Sequence, residues 1–184
     1  INFNSKNVQK DLSEFFHDRL KNFMKEKEIR NDIIESITLN YNIDNILKIY
    51  KKTLALNKLI SKEIGKDVMF SYKRASNIIS NELKNSKIEL TGSADPGLLK
   101  NEFEKILYKK IHEIRKDFTS IGRDDDYEGI LITLSSARKE VNEFFDNVIV
   151  NDQDELIKKN RLELLQMLCK TFDNYINFSK VESF

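Results

Sequence analysis

Glycine and proline are nearly missing from this chain. Its 184 residues contain five glycines and one proline, about a quarter of average usage. A sandwich or barrel of many short strands needs such residues at its corners, so an all-β fold is not expected. Cysteine occurs once and tryptophan not at all. A single thiol closes no internal disulfide and supplies no cysteine-rich zinc site, which removes a stapled secreted scaffold. No apolar run approaches the roughly 20 residues that cross a bilayer, and no signal-peptide pattern opens the chain. The expectation is a cytoplasmic chain in reducing surroundings, with no membrane contact. At 40% hydrophobic and 33% charged residues, the composition is globular rather than disordered.

Charge of one sign is also lacking: 31 Lys and Arg face 30 Asp and Glu, a net of +1. The distribution says more than the sum. From 45 to 75 lie Lys48, Lys51, Lys52, Lys58, Lys62, Lys66, Lys73 and Arg74, opposed only by Glu63 and Asp67. From Asp124 to Ile157 the sign reverses, with ten carboxylates against Arg138 and Lys139. The chain is electrically polar along its length, which the near-zero net charge conceals.

What is abundant is helical periodicity. Apolar residues recur at steps of three and four in seven stripes: Val8 to Phe23, Ile29 to Ile37, Ile43 to Ile64, Val68 to Leu83, Leu99 to Ile121, Tyr127 to Val148, and Leu156 to Ile176. Each covers a face broad enough for globular packing. The prediction is all-α, a helical bundle of about seven helices. The breaks are legible too. Gly65–Lys66–Asp67 is expected to end the third helix, with Asp67 capping the fourth. Asp95–Pro96 reads as a cap with proline in the first turn of the fifth. Gly122–Arg123–Asp124 and Asn151–Asp152 separate the last three. Segment 85–97 is either a soft boundary or a mobile loop. The chain divides into 1–65, a helical segment leading into or forming part of the module, and 66–184, the module itself.

Catalytic constellations are not found. His17 and His112 lie far apart with no visible nucleophile or orienting partner, and read as packing or surface residues. Cys169, inside the last stripe, reads as a buried inert thiol. Asp124–Asp125–Asp126 lacks calcium-loop spacing and fits a helix start. No glycine-rich phosphate loop occurs. The expectation is no catalytic residue, no metal and no bound cofactor in this chain.

Binding chemistry is better supplied. Lys73, Arg74 and Asn77 fall within about one turn, with Lys73 and Asn77 on one face. An ammonium for phosphate, a planar guanidinium and an amide form either an RNA-reading set or a solvated helix face. Asn160–Arg161 is either a surface ion-pairing site or a ligand contact. Phe144–Phe145 reads as core plus helix end. Because consecutive aromatics cannot share one face, one of them is free to point outward.

Residues 137–168, ARKEVNEFFDNVIVNDQDELIKKNRLELLQML, strongly resemble the C-terminal region of bacterial glycyl-tRNA synthetase beta subunits. Phe144 to Val150 resembles that family's FFDxVMV, with Ile149 in place of methionine, and Asn160 to Leu165 its NRLxLL. Asp18–Arg19–Leu20, Lys73–Arg74 with Asn77–Ile78, and Asp95–Pro96 with Leu98–Leu99 resemble further motifs in the same order. The resemblance covers essentially the whole chain, which looks like the tail end of a longer polypeptide.

The resemblance implies an all-helical anticodon-binding module of the DALR type, shared with arginyl-tRNA synthetase. Its namesake tetrapeptide is absent, with Ser136–Ala137–Arg138 the nearest remnant. The implied partner is the anticodon loop of glycine tRNA. ATP-dependent glycine attachment is implied to occur in the alpha subunit, with the remainder of the beta subunit as a further partner. Glycine anticodons end in two cytosines, whose edges ask for acceptors at N4 and donors at O2 and N3. Lys73, Arg74, Asn77, Arg138, Asn160 and Arg161 are the expected tRNA-contacting residues, and the basic 48–74 stretch is expected to track backbone phosphate. A purely structural helical bundle and an arginyl-type module are the competing readings.

Overall fold

The computed structural model describes residues 5–38, 45–86, 88–121 and 126–182. They form eight α-helices: α1 (Ser5–Glu26), α2 (Asn31–Thr38), α3 (Ile46–Ile60), α4 (Glu63–Asn85), α5 (Glu102–Ile121), α6 (Tyr127–Ser135), α7 (Arg138–Asn147) and α8 (Glu155–Asp173). Two short 3₁₀ turns, Pro96–Leu98 and Phe178–Lys180, complete the chain. No strand occurs among the described residues, and the all-α expectation holds.

The predicted count of seven becomes eight because the sixth stripe is two helices. Ser135 and Ser136 turn their hydroxyls back onto the carbonyls of Ile132 and Thr133, each at 2.7 Å. That bonding competes with the helical ladder. The Ser136 and Ala137 backbones stay in the right-handed helical region. The apolar spacing Leu134, Ala137, Val141 and Phe144 therefore runs through the junction undisturbed, and periodicity could not reveal it.

Helix α8 is the axis of the bundle. From Asn160 to Leu165 every residue is buried, so this helix has neighbours on all sides. Helix α4 runs antiparallel to it, with Tyr72 donating to Asp173 at 2.8 Å near one end and Lys158 paired to Glu82 at 2.8 Å near the other. Helix α5 runs parallel on another flank, where Arg115 donates to Thr171 and to the Met167 carbonyl. Helix α7 lies parallel to α4, Asp67 meeting Arg138 and Arg74 meeting Phe145. The C-terminal segment folds back on α2, where Asn177 N–H reaches the Ser36 carbonyl and Glu182 N–H reaches Asp32. One apolar cluster extends from Leu20 to Val181. Each fully buried Phe, Leu or Ile side chain in it stabilises by about 1.5–3 kcal/mol.

Three local expectations need correction. Helix α4 begins at Glu63, before Gly65, and its cap residue Lys62 makes no side-chain capping bond. Gly65 sits in the first turn because the end of α3 presses on it: a Cβ there would lie 2.2 Å from the Leu59 carbonyl oxygen. Asp67 does not cap; it meets Arg138. Asp95 does cap, accepting from Gly97 N–H at 2.8 Å, but the turn it starts is a single 3₁₀ turn. Helix α5 starts later, at Glu102, through a reciprocal box. Phe103 N–H donates to the Asn101 side chain and Asn101 N–H to Glu104, both at 2.9 Å. A polar side chain on each side thus satisfies donors that a helix start leaves open.

The first stripe also departs from its reading as core. Leu20 and Met24 are buried, whereas Val8, Leu12, Phe15, Phe16 and Phe23 stand exposed along α1. Only the last turns of α1 reach α2 and α3, so the upper part of the stripe has nothing to cover it among the described residues. Gly122, Arg123, Asp124, Asp125 and Ile43 lie outside the described residues. Asp126 caps α6, accepting from Gly129 N–H at 2.9 Å.

Candidate nucleic-acid interface

Helix α4 carries two opposite faces. Val68, Tyr72, Ala75 and Ile79 are buried against the bundle. At 100° per residue, Lys66, Phe70, Lys73 and Asn77 share one line on the far side. Arg74 stands between the two faces, toward α7. Its guanidinium lies 4.4 Å from the centre of the Phe145 ring, a cation–π contact that holds the planar group in place. At the foot of the same groove Arg138 Nη1 approaches Asp67 Oδ2 at 2.5 Å, with the arginine more than half exposed. No N–H of Arg138 is aimed along that approach, so Asp67 is held ionically rather than by an aligned hydrogen bond. The result is a ridge of alternating cations, ring and amide, flanked by two arginines from the α4–α7 groove.

Of the six residues singled out in the sequence, Lys73, Arg74, Asn77 and Arg138 come together here. Asn160 and Arg161 do not. They are 5% and 8% exposed, and their polar atoms are spent inside the protein. Asn160 pairs with the backbone of Asp95 as a peptide would, accepting from its N–H at 2.7 Å and donating to its carbonyl at 3.0 Å. Arg161 donates to Glu104, to Asp152 at 2.6 Å and to the Ile149 carbonyl at 2.8 Å. The polar letters of the Asn160–Leu165 motif are therefore fasteners in this state rather than displayed groups.

Glu163, three residues beyond Asn160, completes that role. Its carboxylate accepts the backbone N–H groups of Thr91, Gly92 and Ser93 at 2.9, 2.5 and 3.1 Å. Lys170, two turns further, donates to the Thr91 carbonyl at 2.6 Å. Gly92 adopts φ +75°, and a Cβ there would meet the Lys170 side chain at 2.7 Å. Within segment 85–97, which the sequence offers as a soft boundary or mobile loop, residues 91–95 are strapped to α8 by their own backbone.

The basic stretch does not form one patch: Lys52 is buried, with its pKa pushed down to about 8 by that burial and by Lys48. Lys58 is bonded to Glu128 of the acidic stretch at 2.6 Å. Burial pushes the Cys169 thiol up to about 12, so it stays protonated. Burial, with Lys21 adding to it, lowers the pKa of His17. His112 packs edge-on against Tyr108 at 4.5 Å. Phe144 is wholly buried, and Phe145 is the outward member of the pair, its face taken by Arg74. Among the described residues no cluster of three His, Cys, Asp or Glu side chains could hold a metal ion, and no helix is long and apolar enough to cross a membrane.

One residue of the ridge escaped the sequence reading. Phe70 is 62% exposed, yet both its neighbours, Met69 and Ser71, are buried. The available signal was phase: Phe70 falls off the Val68, Tyr72, Ala75, Ile79 stripe and onto the line of Lys66, Lys73 and Asn77.

A basic, aromatic and amide-bearing ridge on an all-helical bundle is the surface chemistry that helical nucleic-acid-binding modules use. Residues 68–182 match the model of the DALR anticodon binding domain, and the chain belongs to that family. The matched region contains the ridge from Phe70 onward, the Arg74–Phe145 part of the α4–α7 groove and the strap. Among curated proteins the chain is similar to glycine–tRNA ligase beta subunits. It is 36% identical to that of Rickettsia prowazekii over 91% of its length, 35% to that of Rickettsia africae over 98%, and 32% to that of Rhodospirillum centenum over 94%. These alignments cover 24–27% of the relatives, so the chain spans about a quarter of their length.

Proposed function

We propose that this chain is the tRNA-recognition module of a glycine–tRNA ligase beta subunit and reads the anticodon loop of glycine tRNA. The observation that carries the reading is coincidence: the anticodon-binding family match falls on the helices that build the ridge. Anticodon bases are unstacked in a loop, and single-stranded RNA is read by stacking and by hydrogen bonds to exposed base edges. In this reading Lys73 and Arg138 meet phosphate. Arg74, already planar on Phe145, and Asn77 address base edges. Asn160 and Arg161 contribute by position, holding the strap and the α7–α8 connection. Attachment of glycine, with ATP, takes place in the cytoplasm elsewhere in the assembly, on the alpha subunit and the rest of the beta subunit. Residues 66–184 form the recognition module, and α2 and α3 of the preceding segment are part of it, since they share its core.

The test is a titration of the full chain with glycine tRNA and with a tRNA bearing a different anticodon, for the native protein and for Lys73→Ala combined with Arg74→Ala. Tighter binding of glycine tRNA, with the salt slope lowered by about 0.7 in the double variant through the loss of the Lys73 phosphate contact, supports the reading. Equal affinity for both tRNAs would return the chain to a purely structural bundle.

A further inference from the structure

We propose that Phe70 is a base-stacking platform: one unpaired nucleobase of the bound RNA lies flat on its ring. The proposal rests on reading the α4 ridge as an RNA-binding surface and names a contact within it.

Four observations carry it. Among the described residues Phe70 is the most exposed of the large aromatic side chains, at 62% against 53% for Phe15. Its faces are open: among the described residues no ring or cation stacks on it, unlike Phe145, which Arg74 covers. It is spaced between cations, with Lys66 one turn before it and Lys73 and Arg74 one turn after. A turn rises about 5–6 Å, so a base on the ring would have cations within reach of the phosphates on either side of its nucleotide. The helix beneath is also immobilised. Met69 and Ser71, on either side of Phe70, are buried, and the next turn is tied to α8 by the bond from Tyr72 to Asp173.

Chemistry selects the occupant. An isolated apolar ring among lysines and arginines is a poor seat for an apolar protein face, whose approach would strip water from those cations without neutralising them. A nucleotide offers a π-face for the ring and a phosphate for each cation in a single repeating unit. Stacking accepts any base, so Phe70 supplies affinity and register. Choice among bases falls to the amide of Asn77, two turns along the same line.

The experiment uses the full chain and glycine-tRNA anticodon hairpins in which 2-aminopurine replaces each loop nucleotide in turn. With native protein, one loop position is quenched by stacking on binding. In Phe70→Ala that quenching disappears and affinity falls about 5- to 150-fold, while Phe70→Tyr retains both. Phe70→Leu keeps the bulk but not the aromatic face, and behaves like Phe70→Ala. If Lys73→Ala weakens binding while Phe70→Ala and Phe70→Leu change neither affinity nor quenching, the stacking proposal is overturned and the ridge stands as an RNA surface. If none of these variants alters binding, the RNA reading of the ridge is overturned with it.

Discussion

Removing the Arg161 guanidinium should unfold the protein before it affects any RNA contact. Arg161→Met deletes the donor to Glu104, a carboxylate with no exposed surface. Glu104 then keeps only the Asn101 N–H against the burial of its charge. Breaking a buried pair by removing one partner costs about 3–5 kcal/mol. The Ile149 carbonyl and Asp152 also lose a donor, but both are near enough to solvent for water to replace it. The working figure therefore stays at about 4 kcal/mol. For a domain of this size that corresponds to a Tm lower by roughly 8–16 °C. At an m-value of about 2 kcal/mol/M, the urea midpoint falls by about 2 M. Glu104→Leu combined with Arg161→Met should regain most of the loss, because an apolar pair of similar volume carries no desolvation penalty. Urea titrations followed by helical circular dichroism give all three values. A stability loss under about 1 kcal/mol, together with a more than tenfold loss of RNA affinity, would refute the reasoning and return Arg161 to the RNA surface.

Two further outcomes are expected. Lys52 is almost fully buried with a pKa near 8, against an ordinary value of 10.5. Between those values the unfolded chain binds the extra proton, so native stability should rise with pH by up to about 3 kcal/mol across that window. Lys52→Met should abolish the rise; urea midpoints that climb equally in both proteins would refute it. Glu163→Ala removes the acceptor of three backbone N–H groups, and hydrogen exchange at Thr91, Gly92 and Ser93 should accelerate at least about tenfold per lost charge-assisted bond. Unchanged exchange there would mean that the strap is held by something other than α8.

The helices could be read from spacing because each has a distinct wet side and dry side. Reading failed where that contrast fails. In α8 the residues Asn160, Arg161 and Glu163 are polar and yet inside, since the strap and α5 supply their partners. Those partners lie 57 to 72 residues away in sequence, beyond the range of any periodicity. The α6–α7 junction was hidden for the opposite reason: two serines interrupt the ladder while the apolar phase continues. In α1 the stripe was correct as a helix signal but misplaced as core, because periodicity reports a greasy side and not whether anything covers it. The ridge itself was half legible. The charged residues announce themselves by type, whereas Phe70 is told from an interior aromatic only by its phase on the helix.

Helix α4 is pinned to α8 at its middle by Tyr72 and near its C-terminal end by Glu82. It can neither slide along its neighbour nor roll without breaking a bond on the way. The groups it displays are consequently a ruler of fixed pitch, one mark for every turn. A flexible polymer laid along such a ruler must bring its own repeat into step with it, and a chain whose repeat cannot stretch or kink to that pitch would lose contact within two or three marks. Discrimination can begin there, in the bending of the guest, before any individual base edge has been touched.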